Sequence, residues 1–415
     1  MSEQKRILIP NGRFSEWALI NAAHRLGFYV ITSGLIKDGV GHKFADEYIC
    51  ADYSDKEAML QLAKEKKIDY MVSNAHDAGT LPTAYVCEQL GLPGHDSYET
   101  TLTLHTKDRF KPLAKKLGLH APVSEVFTDR HQALEYALNF DKRIILKPAD
   151  NASSVGVSAP KTREEIISAV NLAFDKSKSG TIVIEPFLEG YCTVVTSMII
   201  NQEVVAFFAD SNYLFPQGEV LGPEFPVIAR CNASNQPDPF INVYGPDIID
   251  DFNKIAKELK LVDGKLHCEL MVAPDGTAQI YDIHRRMSGF PEPKPQWNYT
   301  TNLRWEDWIV RAECGLDLSD FPKGVKQDRY RHTRSVYAPR NGHLKRVVFD
   351  DYLTCYMEGV RQVKNFTLEN IDVTDYRHQP LTSVALHFNT LADAAAMADM
   401  NVDNFYPHVT FEYDD

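Results

Sequence analysis

Glu269 and Asp282 lie in two alternating runs, His267-Cys268-Glu269-Leu270-Met271-Val272 and Gln279-Ile280-Tyr281-Asp282-Ile283-His284, on either side of Pro274-Asp275-Gly276. Two such runs around a Pro-Asp-Gly turn predict a β-hairpin. The carboxylates are thirteen residues apart, so they fall on adjacent strands with side chains on one face. Like charges placed there repel unless a cation sits between them, and paired hard oxygen ligands suit Mg²⁺ bridging phosphates. A solvated acidic face is the plain alternative. Arg285-Arg286-Met287-Ser288-Gly289 follows directly. An arginine just past a metal carboxylate can stabilise charge developing on a transferred phosphoryl group or an oxyanion, although alone such a pair is ordinary surface.

Two further features precede this hairpin. Ile144-Ile145-Leu146-Lys147-Pro148 is a strand that ends in a lysine, and Asn151-Ala152-Ser153-Ser154-Val155-Gly156-Val157 follows it. A lysine leaving a buried strand can aim its ammonium at a phosphate, and a Ser-Ser-Val-Gly loop offers hydroxyls and close backbone N–H groups. Val183-Ile184-Glu185-Pro186-Phe187-Leu188-Glu189-Gly190 is an apolar strand ending in a carboxylate. Its extension can line a flat purine slot, with Glu185 accepting from the exocyclic amine, whereas Pro186 has no N–H to give. Taken singly, an exposed lysine, a surface turn and a strand-end glutamate explain both features better.

The elements that must position these groups change character along the 415 residues. Arg6 to Pro10, Phe28 to Thr32, Glu47 to Cys50 and Ile68 to Ser73 read as strands, alternating with helices at Ser15 to Leu26 and Asp55 to Lys66. That alternation predicts a parallel βαβ domain over residues 1–105. The stretch Asn11-Gly12-Arg13-Phe14-Ser15-Glu16 lacks the three-glycine spacing of a dinucleotide fingerprint. A helix from Thr106 to Gly118 opens an α+β region over 106–320, with strands at Arg143 to Leu146 and Thr181 to Ile184 and a hairpin of Thr193 to Ile200 with Glu203 to Phe208. Residues 321–415 form a last α+β region, with a strand near Ser335 to Pro339, a helix near Leu391 to Met400 and a final strand at His408 to Tyr413. Asp plus Glu outnumber Lys plus Arg by 57 to 44, which argues against an extended nucleic-acid surface. No apolar run reaches membrane-span length, and seven scattered cysteines without a CxxC argue against a disulfide framework or zinc knuckle. The expectation is a cytoplasmic protein with neither a nucleic-acid nor a membrane partner.

In this order the features resemble the ATP-grasp superfamily, whose members hold ATP between two α+β lobes and activate a carboxylate as an acyl phosphate. The resemblance covers nearly the whole chain, with residues 1–105 as the domain that precedes the lobes and 321–415 completing or covering the site. It implies that Lys107 and Lys147 contact nucleotide phosphates and that Ser153, Ser154 and Gly156 form the phosphate loop. Glu185 and Leu188 would form the adenine hinge, Leu188 through its backbone. Glu269 and Asp282 would hold Mg²⁺, with Mn²⁺ as the alternative ion, and Arg286 would serve the reacting centre. His267 and Glu224 fall at substrate-facing positions, and Pro291 to Trp297 would close over the acceptor.

Three departures stand out. Cys192 occupies the place of a ribose glutamate, which Glu189 would have to replace. His284 stands where asparagine is common, as a softer donor to the metal. Asp282 is one methylene shorter than the usual glutamate. The layout looks most like the L-amino acid (dipeptide) ligases, implying small-molecule carboxylate and amine substrates; homodimers are common in the resembling families. The alternatives are a ligase of purine or carbohydrate metabolism that uses bicarbonate or a sugar acid, and an ATP-binding regulator without turnover.

Overall fold

Alternation in Arg-Ile-Leu-Ile-Pro sends Ile7 and Ile9 to one face of the first strand and Leu8 to the other, and all three are fully buried. In the computed structural model the described residues are 4–73, 75–151, 155–214, 231–237, 240–286, 298, 301, 303–325, 329–351, 369–374, 376, 381–388 and 406–414. Arg6–Pro10 (β1), Tyr29–Ser33 (β2), Glu47–Ile49 (β3) and Tyr70–Met71 (β4) form a parallel sheet in the order β3-β2-β1-β4. Phe14–Arg25 (α1), Lys56–Lys66 (α2) and Asp77–Leu90 (α3) surround it. Ile7 and Ile9 pack with Leu19 and Ala22 of α1, while Leu8 packs with Met59 and Leu62 of α2 and Val86 of α3. Each such buried aliphatic side chain contributes about 1.5–3 kcal/mol. The expected strand from Ile68 to Ser73 ladders only over Tyr70–Met71.

The Gly12 turn after β1 is filled by the protein itself. A Cβ at Gly12 would lie 2.1 Å from His42 Nδ1, and Gly39 and Gly41 approach the same turn. His42 Nδ1 lies 2.9 Å from Thr32 Oγ1.

Tyr98–His105 (α4) and Lys107–Leu117 (α5), which ends at a left-handed Gly118, lead into the central region. Glu125–Phe127 (β5), Ile144–Pro148 (β6) and Ile182–Pro186 (β7) form an antiparallel sheet in the order β5-β7-β6. Arg130–Asn139 (α6) and Arg163–Lys176 (α7) cover it through Ala133, Ala137, Val170 and Ala173. Tyr191–Ile200 (β8), Glu203–Leu214 (β9), Cys231–Pro237 (β10), Gly264–Val272 (β11), Ala278–His284 (β12) and Tyr330–Val336 (β13) share a larger sheet, in which β11 pairs with β8 and β12. Gly342–Phe349 (β14) pairs with Glu369–Val373 (β15) and Val409–Tyr413 (β17). Thr382–Phe388 (β16) closes the larger sheet as β12-β11-β8-β9-β10-β13-β16.

Two further helices, absent from the expectation as were α3, α4, α6 and α7, complete the frame. Ile241–Leu259 (α8) buries Tyr244, Ile248, Phe252 and Ile255 against this sheet. Their spacing is helical, but Gly245-Pro246 interrupts the pattern near its start. Trp305–Glu313 (α9) joins the core of β1 and α1 through Trp305, Ile309 and Val310, and Met198 and Phe208 enter the same core from β8 and β9. The helix expected near Leu391 to Met400 and the segment Pro291 to Trp297 lie outside the described residues.

Candidate active site

The β11–β12 hairpin forms, and its register pairs Glu269 directly with Asp282 and His267 with His284. Strand periodicity therefore puts His267, Glu269, Asp282 and His284 on one face of the sheet. The register shifts just after Glu269, where Leu270 pairs with Ile280 and leaves Tyr281 as the extra residue of a bulge. The Tyr281 hydroxyl lies 3.0 Å from Cys192 Sγ, and its ring lies 5.2 Å from the Lys147 ammonium. Burial and the neighbouring Asp282 raise Glu269 above the usual carboxylate range. Burial opposes charge on Asp282 too, but Lys107 more than offsets it and holds that carboxyl low. Two facing carboxylates, one already pushed toward its neutral form, are a hard-oxygen set that fits a divalent cation.

Three lysines converge on this face from other elements. Lys107, the first residue of α5, is anchored by its N–H to the Ala149 carbonyl at 3.0 Å, which brings the helix to the end of β6. Its ammonium lies 3.4 Å from Asp282 Oδ2 and donates to the Asn151 carbonyl at 3.3 Å. Burial would lower its pKa, but Asp282 and Asp77 raise it above the ordinary value. One helical turn on, Lys111 lies 2.5 Å from Glu185 Oε1, and Lys147 lies 2.7 Å from Glu185 Oε2. Ser124 Oγ also donates to Glu185 at 2.7 Å.

The Glu185 side chain is 1% exposed. Burial disfavours its charge, but Lys147 and Lys111 prevail and bring its pKa down to about 2. Its carboxylate is enclosed by two ammonium groups and a hydroxyl. Leu188 is half-buried beyond β7, while Glu189 is exposed.

The loop after β6 is pinned at its exit, where Leu146 and Ser158 exchange backbone hydrogen bonds of 2.8 and 3.0 Å. Gly156 has φ +81, and a Cβ there would come within 2.7 Å of Pro148 Cγ. Ser153, Ser154 and Glu224 lie outside the described residues. His267 is buried, with Nδ1 3.0 Å from Thr196 Oγ1. Burial, chiefly, lowers His284 to about 3, so its imidazole is neutral.

The two arginines after the hairpin have different surroundings. Arg285 is a buried anchor: Nε donates to Asp96 at 2.6 Å, Nη1 to the Lys265 carbonyl at 2.5 Å and Nη2 to the Val262 carbonyl at 2.9 Å. Arg286 faces the cluster and donates from Nε and Nη2 to the two Asp77 oxygens at 2.6 and 3.1 Å. His105 and His284 lie 3.2 and 3.3 Å from Asp77 Oδ1. Sequence reasoning missed Lys111, Asp77 and His105. Lys111 carried a signal, one turn from Lys107 on the same helix face. Asp77 is 209 positions from Arg286 and carried none.

Residues 106–217 match the family described as phosphoribosylglycinamide synthetase, ATP-grasp (A) domain. The chain is 30% identical over 95 residues to the carbamoyl phosphate synthase large chain of Thermoanaerobacter pseudethanolicus (strain ATCC 33223 / 39E), a match spanning 23% of this chain and 9% of that one. Among solved structures it superposes on an L-amino acid ligase from Bacillus licheniformis with a TM-score of 0.78 and 17% identity, covering all of both chains. It also superposes on the biotin carboxylase domain of a Hydrogenobacter thermophilus 2-oxoglutarate carboxylase, in complex with MgADP, ADP and bicarbonate. That match has a TM-score of 0.73 and 14% identity, and covers 99% of this chain and 92% of the other.

Proposed function

For a chain that carries an ATP-grasp domain within an ATP-grasp fold, we propose an ATP-dependent carboxylate–amine ligase that forms an amide through an acyl phosphate, on amino-acid-like substrates. The observation that supports this most is the facing Glu269–Asp282 pair with the Lys107 ammonium 3.4 Å away, contributed by a separate helix. Mg²⁺ held by Glu269 and Asp282 would neutralise phosphate charge during transfer. Lys107 and Lys147 bind and align the phosphates. Glu185 and Lys111 hold Lys147 in place. The substrate carboxylate attacks the γ-phosphoryl group and releases ADP. An amine then attacks the acyl phosphate, Arg286 stabilises the oxyanion, and phosphate leaves. The chain's contribution is alignment and charge neutralisation.

A second reading, activation of bicarbonate or a sugar acid, is favoured by the neighbour that holds bicarbonate. The test is Mg-ATP-dependent ADP release over a panel of amino acids, sugar acids and bicarbonate, each with and without an amine acceptor. Release that needs an amino acid is expected. Release with bicarbonate or a sugar acid alone supports the second reading, and tight Mg-ATP binding without ADP formation supports a regulator.

A further inference from the structure

Among the described residues, Asp77, His105 and His284 bring potential ligand atoms within 4.8 Å of one another, the spacing of an ion site. The chemistry of His105 argues otherwise. Its Nε2 accepts the main-chain N–H of Arg285 at 3.0 Å, so that nitrogen carries the lone pair and the ring proton sits on Nδ1. Nδ1 is the atom turned toward Asp77, and an N–H cannot ligate a metal. It stands 3.2 Å from Asp77 Oδ1, off the line of a good hydrogen bond but close enough to attract the carboxylate.

Asp77 in turn grips Arg286 side-on. Both carboxylate oxygens are used, and the Nε–Nη2 edge of the guanidinium is fixed in plane. This edge-on grip sets the direction of a long, otherwise rotatable side chain. The Asp77 side chain is half-buried, with 24% of its surface exposed. Asp77 is the first residue of α3, in the parallel-sheet unit, whereas Arg286 follows β12. We infer that Asp77 is a positioning residue that aims the Arg286 guanidinium at the reacting centre, that His105 orients Asp77, and that the N-terminal parallel-sheet unit is thereby part of the active site. This deepens, and rests on, the ligase reading.

The test compares wild type with Asp77→Asn, Asp77→Leu and His105→Gln, using the acid–amine pair from the amino-acid panel that wild type turns over. Asp77→Asn preserves size and is read first. It is expected to lower kcat about 100-fold while the KM for ATP stays within about twofold, the pattern of a misaimed catalytic group. His105→Gln is expected to lower kcat about tenfold with the same split. A crystal structure of Asp77→Leu, or of Asp77→Asn should the former not fold, is expected to show the Arg286 guanidinium displaced by about 1 Å or more. An unchanged kcat in Asp77→Asn, an unmoved Arg286, or one tightly bound zinc per chain that His105→Gln abolishes would each overturn the inference. If wild type turns over no member of the panel, the ligase reading fails separately, and the position of Arg286 alone decides whether Asp77 holds it.

Discussion

Lys111 and Lys147 close on one buried carboxylate, and that arrangement makes Glu185 the residue on which the local electrostatics turn. Replacing it by glutamine leaves two ammonium groups facing a neutral amide. Glu185→Gln is therefore expected to cost about 3–5 kcal/mol in urea unfolding near neutral pH. The pH dependence has the same origin. The folded carboxyl lies near 2, against an ordinary 4.5, so its stabilisation is fully present above 4.5 and is lost as the pH falls toward 2. The stability gap between wild type and Glu185→Gln should accordingly narrow on acidification from pH 4.5; a gap constant with pH would remove the carboxylate from this role. At this scale the sequence carried the types and order of Lys107, Lys147, Glu269, Asp282 and Arg286, because local spacing encodes the hairpin pair. It did not carry the partners of Glu185. Which groups meet a buried carboxylate depends on how a helix at 107–117 crosses a strand at 182–186.

The hairpin and its neighbour β8 are held in register by a close backbone approach at Gly190. That residue has φ +140, and a Cβ there would lie 2.0 Å from the Val272 carbonyl oxygen. No L side chain fits without moving the end of β11. Gly190→Ala is expected to lower stability by about 1–3 kcal/mol from backbone strain alone, with more from the clash, measured as a fall in Tm. It should also shift Cys192 and Tyr281, which touch across the same corner; an unchanged Tm would contradict the packing described. Alternation and the Pro-Asp-Gly turn made β11 and β12 legible. The bulge at Tyr281 was not legible, because one extra residue in a ladder leaves no mark on composition or period. Helix α8 shows the opposite case: its apolar spacing was present, but Gly245-Pro246 obscured it.

Over the whole molecule, the parallel-sheet unit and the larger sheet share a core, since Ile7, Ile9, Met198, Phe208 and Trp305 belong to one cluster. A buried polar seam runs beside it, where Lys265 pairs with Glu313 and donates to Ser73 Oγ at 2.9 Å, while Arg285 meets Asp96. Lys265→Met leaves Glu313 buried with its charge uncompensated and is expected to destabilise by about 3–5 kcal/mol in equilibrium unfolding, whereas an exposed pair would give less than about 1. None of this seam was readable in advance, because its five members come from separate stretches of chain up to 240 positions apart.

The central claim is that a substrate carboxylate takes the γ-phosphoryl group of ATP at the Glu269–Asp282 site. It is tested most directly by supplying amino acids labelled with ¹⁸O in the carboxylate, together with Mg-ATP and an amine, and weighing the inorganic phosphate released. An acyl phosphate transfers one labelled oxygen to phosphate, and Glu269→Gln should abolish that transfer. Phosphate released without label from wild type, or labelled phosphate produced undiminished by Glu269→Gln, would contradict the account.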